Sequence, residues 1–170
     1  MIRWNPEFNG GWFQSTYGMQ PTAFIASWIG IYNALRAYGA SSTAMIWAPN
    51  TIGPDSSPFA QPYSQQDKNA MDTNHDGVID ANDNPWTPWW PGAQYVDWIG
   101  NSLYFKRNIY YSDANDPPDW VYKLVDIITG NGTEFSDLSF YNIYDFADQQ
   151  GKPYAIAEGT CDHLWLLCLS

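Results

Sequence analysis

Ile-Arg-Trp-Asn-Pro-Glu-Phe-Asn-Gly-Gly, residues 2–11, opens the chain and decides how its fold is read. A short strand-like run stops abruptly on a carboxylate, an amide and two glycines. That pattern exposes Glu7 and Asn9 at the lip of a strand, where α/β barrels place their chemistry. Arg3 and Asn5 precede Glu7 by four and two positions, so on an extended strand all three share one face. Residues 152–159, Lys-Pro-Tyr-Ala-Ile-Ala-Glu-Gly, repeat the device, ending on Glu158 and a glycine.

Between these two strands the pattern alternates. Phe24, Ile25, Trp28, Ile31, Tyr32 and Leu35 recur at helical spacing, which predicts a helix over 22–38 with Pro21 in its first turn and Gly39 as its stop. Residues 42–49 read as a short buried strand and 95–104 as another. Helices are predicted over 117–128 and 138–150, the latter stopped by Gly151. Residues 51–94 keep neither period for long and form a long excursion rich in Pro, Ser, Gln, Asn and Asp. Strands alternating with helices imply a parallel sheet in an α/β fold.

Composition bounds the function. The 170 residues fit one domain with a real core. Ten Trp and 12 Tyr stand against only 7 Lys plus Arg, more rings than such a core needs to hide. Tyr and Trp offer flat apolar faces with a polar edge, which suits sugar rings. Trp12, Trp47, Trp89 and Trp90 flank the predicted strand tops as candidate platforms. The net charge of −11 disfavours nucleic acid and anionic membranes as partners, and no apolar run approaches a membrane span. With two histidines, a zinc site or a Ser-His-Asp triad is disfavoured. Cys161 and Cys168 suit either a small disulfide loop or two free thiols, and Asn131-Gly132-Thr133 is a glycosylation sequon.

Glycosidic cleavage needs one carboxyl to protonate the leaving oxygen and another to attack or to activate water. Glu7 and Glu158, at the ends of different parallel strands, answer that need. Tyr104, ending a third strand, is placed to hydrogen-bond one of them and hold it ionised. A second constellation lies in the excursion. Asp72, Asn74, Asp76, Val78 (through its carbonyl), Asp80 and Asp83 occupy loop positions 1, 3, 5, 7, 9 and 12, with Gly77 at 6. This is the spacing of an EF-hand calcium loop with Asp at the last position. A structural Ca2+ is the one cofactor expected; no organic cofactor is.

Several segments together carry a resemblance. They are Arg-Trp-Asn-Pro-Glu-Phe-Asn-Gly-Gly-Trp-Phe (3–13), Tyr-Gly-Met-Gln-Pro (17–21) and Ile-Trp-Ala-Pro-Asn (46–50). Trp-Trp-Pro-Gly-Ala-Gln-Tyr-Val-Asp-Trp-Ile-Gly-Asn-Ser-Leu-Tyr (89–104) and Lys-Pro-Tyr-Ala-Ile-Ala-Glu (152–158) complete the set. In this order the chain resembles glycoside hydrolase family 26, in particular its fungal endo-β-1,4-mannanases. The resemblance implies a retaining (β/α)8 TIM barrel with Glu7 as acid/base after strand 4 and Glu158 as nucleophile after strand 7. It also implies that Trp47, Asn50 and Tyr104 line the sugar subsites, that the protein is extracellular, and that the complete form is monomeric. Two positions depart from the family: Pro6 stands where histidine is common, and Gly159 replaces the usual turn.

A full barrel runs to about 250 residues. The expectation is therefore a partial barrel, strands 4 to 7, with residues 1–170 forming an incomplete catalytic domain. Residues 51–94 would be its calcium-loop insertion and 159–170 an atypical tail. Four parallel strands cannot close a barrel, so the isolated chain is expected to be poorly soluble or inactive. No signal peptide is visible. A non-catalytic carbohydrate-binding remnant and a related β-glucanase or xylanase are the alternative functions.

Overall fold

The computed structural model describes residues 1–10, 20–50, 62, 64–80, 82–105 and 142–161. In chain order the elements are helix α1 (Pro21–Ala37), strand β1 (Ile46–Trp47), helix α2 (Gln65–Met71), strand β2 (Trp98–Phe105), helix α3 (Ile143–Gln149) and strand β3 (Tyr154–Cys161). Two 3-10 turns, Thr87–Trp89 and Ala93–Tyr95, lead into β2. The strands form a three-stranded sheet in the order β1-β2-β3, with both pairings parallel. A single parallel bridge from Ile2 to Met45 lies on the far flank of β1. The shown architecture is thus a small parallel α/β sheet with helices. Barrel closure is not seen among the described residues, and the predicted helix over 117–128 lies outside them. None of the described helices is long and apolar enough to cross a membrane.

α1 forms where the periodicity places it. Pro21 occupies its first turn, where a missing N–H costs nothing. Phe24 and Trp28 are fully buried, with Ile25, Ile31, Tyr32 and Leu35 packed at the margin of the core. Gly39, at φ 81°, takes the left-handed conformation that ends the helix. Arg36 then latches the turn to the sheet. Its guanidinium donates to the carbonyls of Ala40 (3.1 Å) and Thr43 (2.8 Å) and to Asp97 (2.9 Å). Asp97 in turn accepts from the Met45 amide at 2.8 Å, so one carboxylate ties α1 to the start of β1.

The excursion contains a helix that its periodicity does not announce. α2 spans only seven residues, too few for a stripe to be read, and Ser64 caps it by accepting from the Asp67 amide at 3.0 Å. Ser64 followed three positions later by an acidic residue was the available signal. Asp67 is buried, and its carboxylate accepts from the Thr22 amide (3.0 Å), the Thr22 hydroxyl (2.7 Å) and the Ser64 hydroxyl. The first turns of α1 and α2 are thereby pinned together.

Burial alone pushes the Asp67 carboxyl up, but the hydrogen bonds from Ser64 and Thr22 outweigh it and hold the group below its ordinary value. A carboxyl whose folded value is depressed stabilises fully above its unfolded value, about pH 4, and loses that contribution as pH falls through the folded value. Asp67→Asn should therefore lower the melting temperature at neutral pH, and the difference from the parent should shrink as pH falls below about 4. A difference in melting temperature that is constant across that range contradicts the assignment.

β3 continues to Cys161, so Glu158 sits inside the strand and not at its end. The first strand is shorter than expected: Ile46–Trp47 carries the pairing, with Asn50 making a separate bridge to Ser102. The β2–β3 register shifts between Asn101 and Ser102: Asn101 pairs with Ile156 and Ser102 with Glu158, so β3 carries the extra residue, Ala157. Such a bulge re-aims a side chain. The core lies between the sheet and α1, centred on Phe8, Trp28, Trp47, Trp89 and Ile99.

Candidate active site

After its bridge at Ile2 the chain turns over residues 5–10. Asn5 and Glu7 adopt φ of 45° and 54°, a left-handed backbone uncommon in residues that carry a Cβ. Arg3, Asn5 and Glu7 therefore do not share one strand face, because alternation requires extended backbone. The turn is closed by the Gly10 amide donating to the Glu7 carbonyl (2.8 Å) and docked by the Glu7 amide donating to the Ala48 carbonyl (3.2 Å). These bonds deliver the Glu7 side chain into the interior, where it is only 6% exposed.

Glu7 is met there by an amide clamp. Asn50 Nδ2 donates to Glu7 Oε1 at 2.8 Å. Asn50 itself is gripped through its backbone: its N–H donates to Asn9 Oδ1 (2.7 Å) and its carbonyl accepts from Asn9 Nδ2 (2.9 Å). Asn9 and Asn50 are both buried. Asn9, expected at the strand lip, and Asn50, expected in a sugar subsite, are brought together with Glu7 as an internal support. Buried polar groups need such partners, since an unmade bond there costs about 1–3 kcal/mol.

Glu158 has a different environment. Its side chain is 45% exposed, and it is paired with Arg3, whose side chain is 17% exposed. Arg3 donates through its other terminal nitrogen to Ser102 Oγ, so the guanidinium spans Ser102 and Glu158. Ser102, Glu158's register partner across the bulge, also bridges to Asn50. The two glutamates thus belong to one row across the strands: Glu7 on Asn50, Asn50 beside Ser102, Ser102 beside Glu158. Nothing in the sequence singles out Ser102, because the bulge that sets Glu158 opposite it leaves no pattern.

The aromatic residues divide. Trp47 is fully buried, donates through Nε1 to the Trp89 carbonyl at 3.1 Å and packs against Phe8 and Phe146. Trp89 is equally buried. Both sit in the core and not on an open rim, which corrects their placement as sugar platforms in this structure. Trp90 is half-buried, edge-on to Trp47 with centroids 5.0 Å apart. Tyr104 occupies β2 in register with Thr160. Trp12 lies outside the described residues.

The acidic loop follows α2 directly, with Asp72 as the helix cap. Asp72 accepts from the amides of Asp76 (3.1 Å) and Gly77 (2.9 Å), Asn74 accepts from Asp76 (3.0 Å), and Asp76 accepts from Val78 (2.8 Å). Asp80 caps the following turn by accepting from the Asn82 amide at 2.8 Å. Gly77 takes φ 90°, the sharp turn its position demands. Asp83 is wholly buried and braces the loop from within. One of its oxygens accepts from the amides of Thr73 (2.6 Å) and Asn74 (3.3 Å), and the other accepts from Asp80 (2.9 Å). Among the described residues no three His, Cys, Asp or Glu side chains are arranged to hold a metal ion. The loop's oxygens are the right chemical type for Ca2+, but here they are turned onto its own amides.

No protein-family model matches the chain, and no curated protein matches it.

Proposed function

We propose that this chain is a glycoside hydrolase acting on β-1,4-mannan by a retaining double displacement, with the family 26 resemblance supplying the class. The carrying observation is the contrast between two glutamates in one row: Glu7 buried on a neutral amide, Glu158 half-exposed on a guanidinium. Contrasting environments are how paired carboxyls come to serve as acid and nucleophile. In the first step the Glu158 carboxylate attacks the anomeric carbon while Glu7 gives its proton to the departing glycosidic oxygen. In the second, Glu7 takes a proton from water, whose oxygen attacks that carbon and releases Glu158. Arg3 and Ser102 hold the nucleophile in place; Asn50 and Asn9 hold the acid. The sheet would be strands 5 to 7 of a (β/α)8 barrel, with the isolated Ile2 bridge at the place of strand 4.

The same proposal includes a structural Ca2+ in the 72–83 loop and an extracellular setting. Asp72, Asn74, Asp76, Val78 and Asp80 would hold the ion, with Asp83 in the twelfth position closing the loop on its buried side.

A panel of galactomannan, mixed-linkage β-glucan and xylan, assayed with calcium and after chelation, tests the reading. Cleavage of galactomannan with the anomeric configuration of the first product retained by NMR supports the hydrolase and overturns the expectation of an inactive isolated chain, and chelation should lower the melting temperature. Preference for glucan or xylan moves the assignment to a neighbouring specificity. Binding of galactomannan with no turnover of any of the three favours a carbohydrate-binding protein.

A further inference from the structure

Asn50 is held by two partners. Asn9 grips its backbone from the Glu7 turn, and Trp86 Nε1 donates to the same Asn50 carbonyl at 3.3 Å. Trp86 is buried and takes no part in the proposed chemistry. Its own position is fixed from the acidic loop. The Trp86 amide donates to Asn84 Oδ1 at 2.9 Å, and the Asn84 amide donates to Thr73 Oγ1 at 2.7 Å. The Thr73 hydroxyl donates to Asp83 Oδ1 at 3.2 Å. A second strut runs alongside, where Asn9 Nδ2 approaches the Pro85 carbonyl at 3.5 Å.

We infer that Trp86 is a positioning residue for Glu7, transmitting the geometry of the 72–84 loop to the carboxyl through the Asn50 carbonyl. The inference rests on the reading of Glu7 as the acid only for its functional meaning; the coupling itself is a property of the hydrogen bonds. Glu7, Asn9, Asn50 and Trp86 are all buried, so the bonds on Asn50 lie in a low-dielectric setting, while those through Asn84 and Thr73 are part-buried. The bonds on Asn50 are stronger for it, and their loss is not repaired by solvent. The Thr73 hydroxyl is the narrowest point of the connection, accepting from Asn84 and donating to Asp83 at once. Valine matches its shape and removes both bonds.

The chain contains only three glutamates, Glu7, Glu134 and Glu158, so selective 13C labelling gives three carboxyl resonances, with Glu7 assigned by Glu7→Gln. At constant pH, Trp86→Phe and Thr73→Val should each displace the Glu7 resonance in the direction that Asn50→Ala displaces it, leaving Glu158 in place. Thr73→Ser should restore the parent position. In the Asn50→Ala background, Trp86→Phe should add no further displacement, the non-additivity expected of residues acting through one link. A Glu7 resonance unmoved by Thr73→Val in a folded chain overturns the inference, as does failure of Thr73→Ser to restore it. Should Trp86→Phe prevent folding, the Thr73 pair decides alone. Because the readout is a resonance and not turnover, a negative result leaves the hydrolase proposal standing. A responsive Glu7 in a chain without turnover sinks the hydrolase proposal and keeps the coupling.

Discussion

Glu7→Gln should cut turnover of galactomannan by about 10²–10⁴-fold while leaving the chain folded. Glutamine fills the same volume, and its carbonyl oxygen still accepts the Asn50 amide that meets Glu7 at 2.8 Å. What disappears is the acidic proton. The loss should therefore depend on the leaving group. Polysaccharide, whose departing sugar hydroxyl must be protonated, should suffer the full effect. An aryl mannoside, whose phenol leaves without help, should form the glycosyl-enzyme at nearly the parent rate. Glu158→Gln removes the nucleophile and should abolish turnover of both substrates. If Glu7→Gln slows glycosyl-enzyme formation equally with aryl and polysaccharide substrates, Glu7 is not the acid and the role passes to another residue.

Gly100→Ala should prevent formation of the sheet. Gly100 lies in β2, the middle strand, in register with Ala155 of β3. A Cβ there would overlap the Ala155 carbonyl oxygen and stand 3.0 Å from Cδ1 of Ile46 in β1. Ile46 can turn aside, but a backbone carbonyl within a parallel ladder can move only by separating the strands. Glycine inside a strand marks such close approach. The cost should exceed the about 1–3 kcal/mol usual for overpacking, a large share of the total stability of a small domain. Circular dichroism and urea unfolding should show no cooperative transition. Gly30→Ala is the control: nothing lies within 4 Å of its added Cβ, and it sits on an exposed face of α1. Removing a glycine from a helix interior there should raise stability by about 0.5–1 kcal/mol. An unaltered melting temperature in Gly100→Ala would mean that the β2–β3 pairing does not support the fold.

How much of this was legible depended on whether the signal was periodic. α1 was readable because its stripe runs for several turns and is bracketed by Pro21 and Gly39. β2 and β3 were readable as apolar runs, although β3 passes beyond Glu158 to Cys161. α2 was hidden because seven residues give no stripe, and the start of the acidic loop on a helix went unseen with it. Within the site, Glu7 and Glu158 announced themselves by residue type and by the glycines beside them. The work of Asn50 and Asn9 did not, since an amide's role depends on which neighbours a turn brings to it. Trp47 and Trp89 illustrate the same limit from the apolar side. A tryptophan beside a predicted strand top reads equally as platform or core, and only packing against Phe8 and Phe146 settles Trp47 as core.

The left-handed backbone at Asn5 and Glu7 has a consequence for robustness. In a strand, a slip of one residue sends every side chain to the opposite face. A turn has no such parity. Glu7 is aimed by a closed loop docked on the Ala48 carbonyl, so small errors in pairing at the Ile2 bridge do not invert it. Glu158, carried on a true strand, has no such insulation, and its orientation stands or falls with the bulge at Ala157, opposite Asn101 and Ser102. The two carboxyls of one row are thus exposed to different kinds of mutational damage.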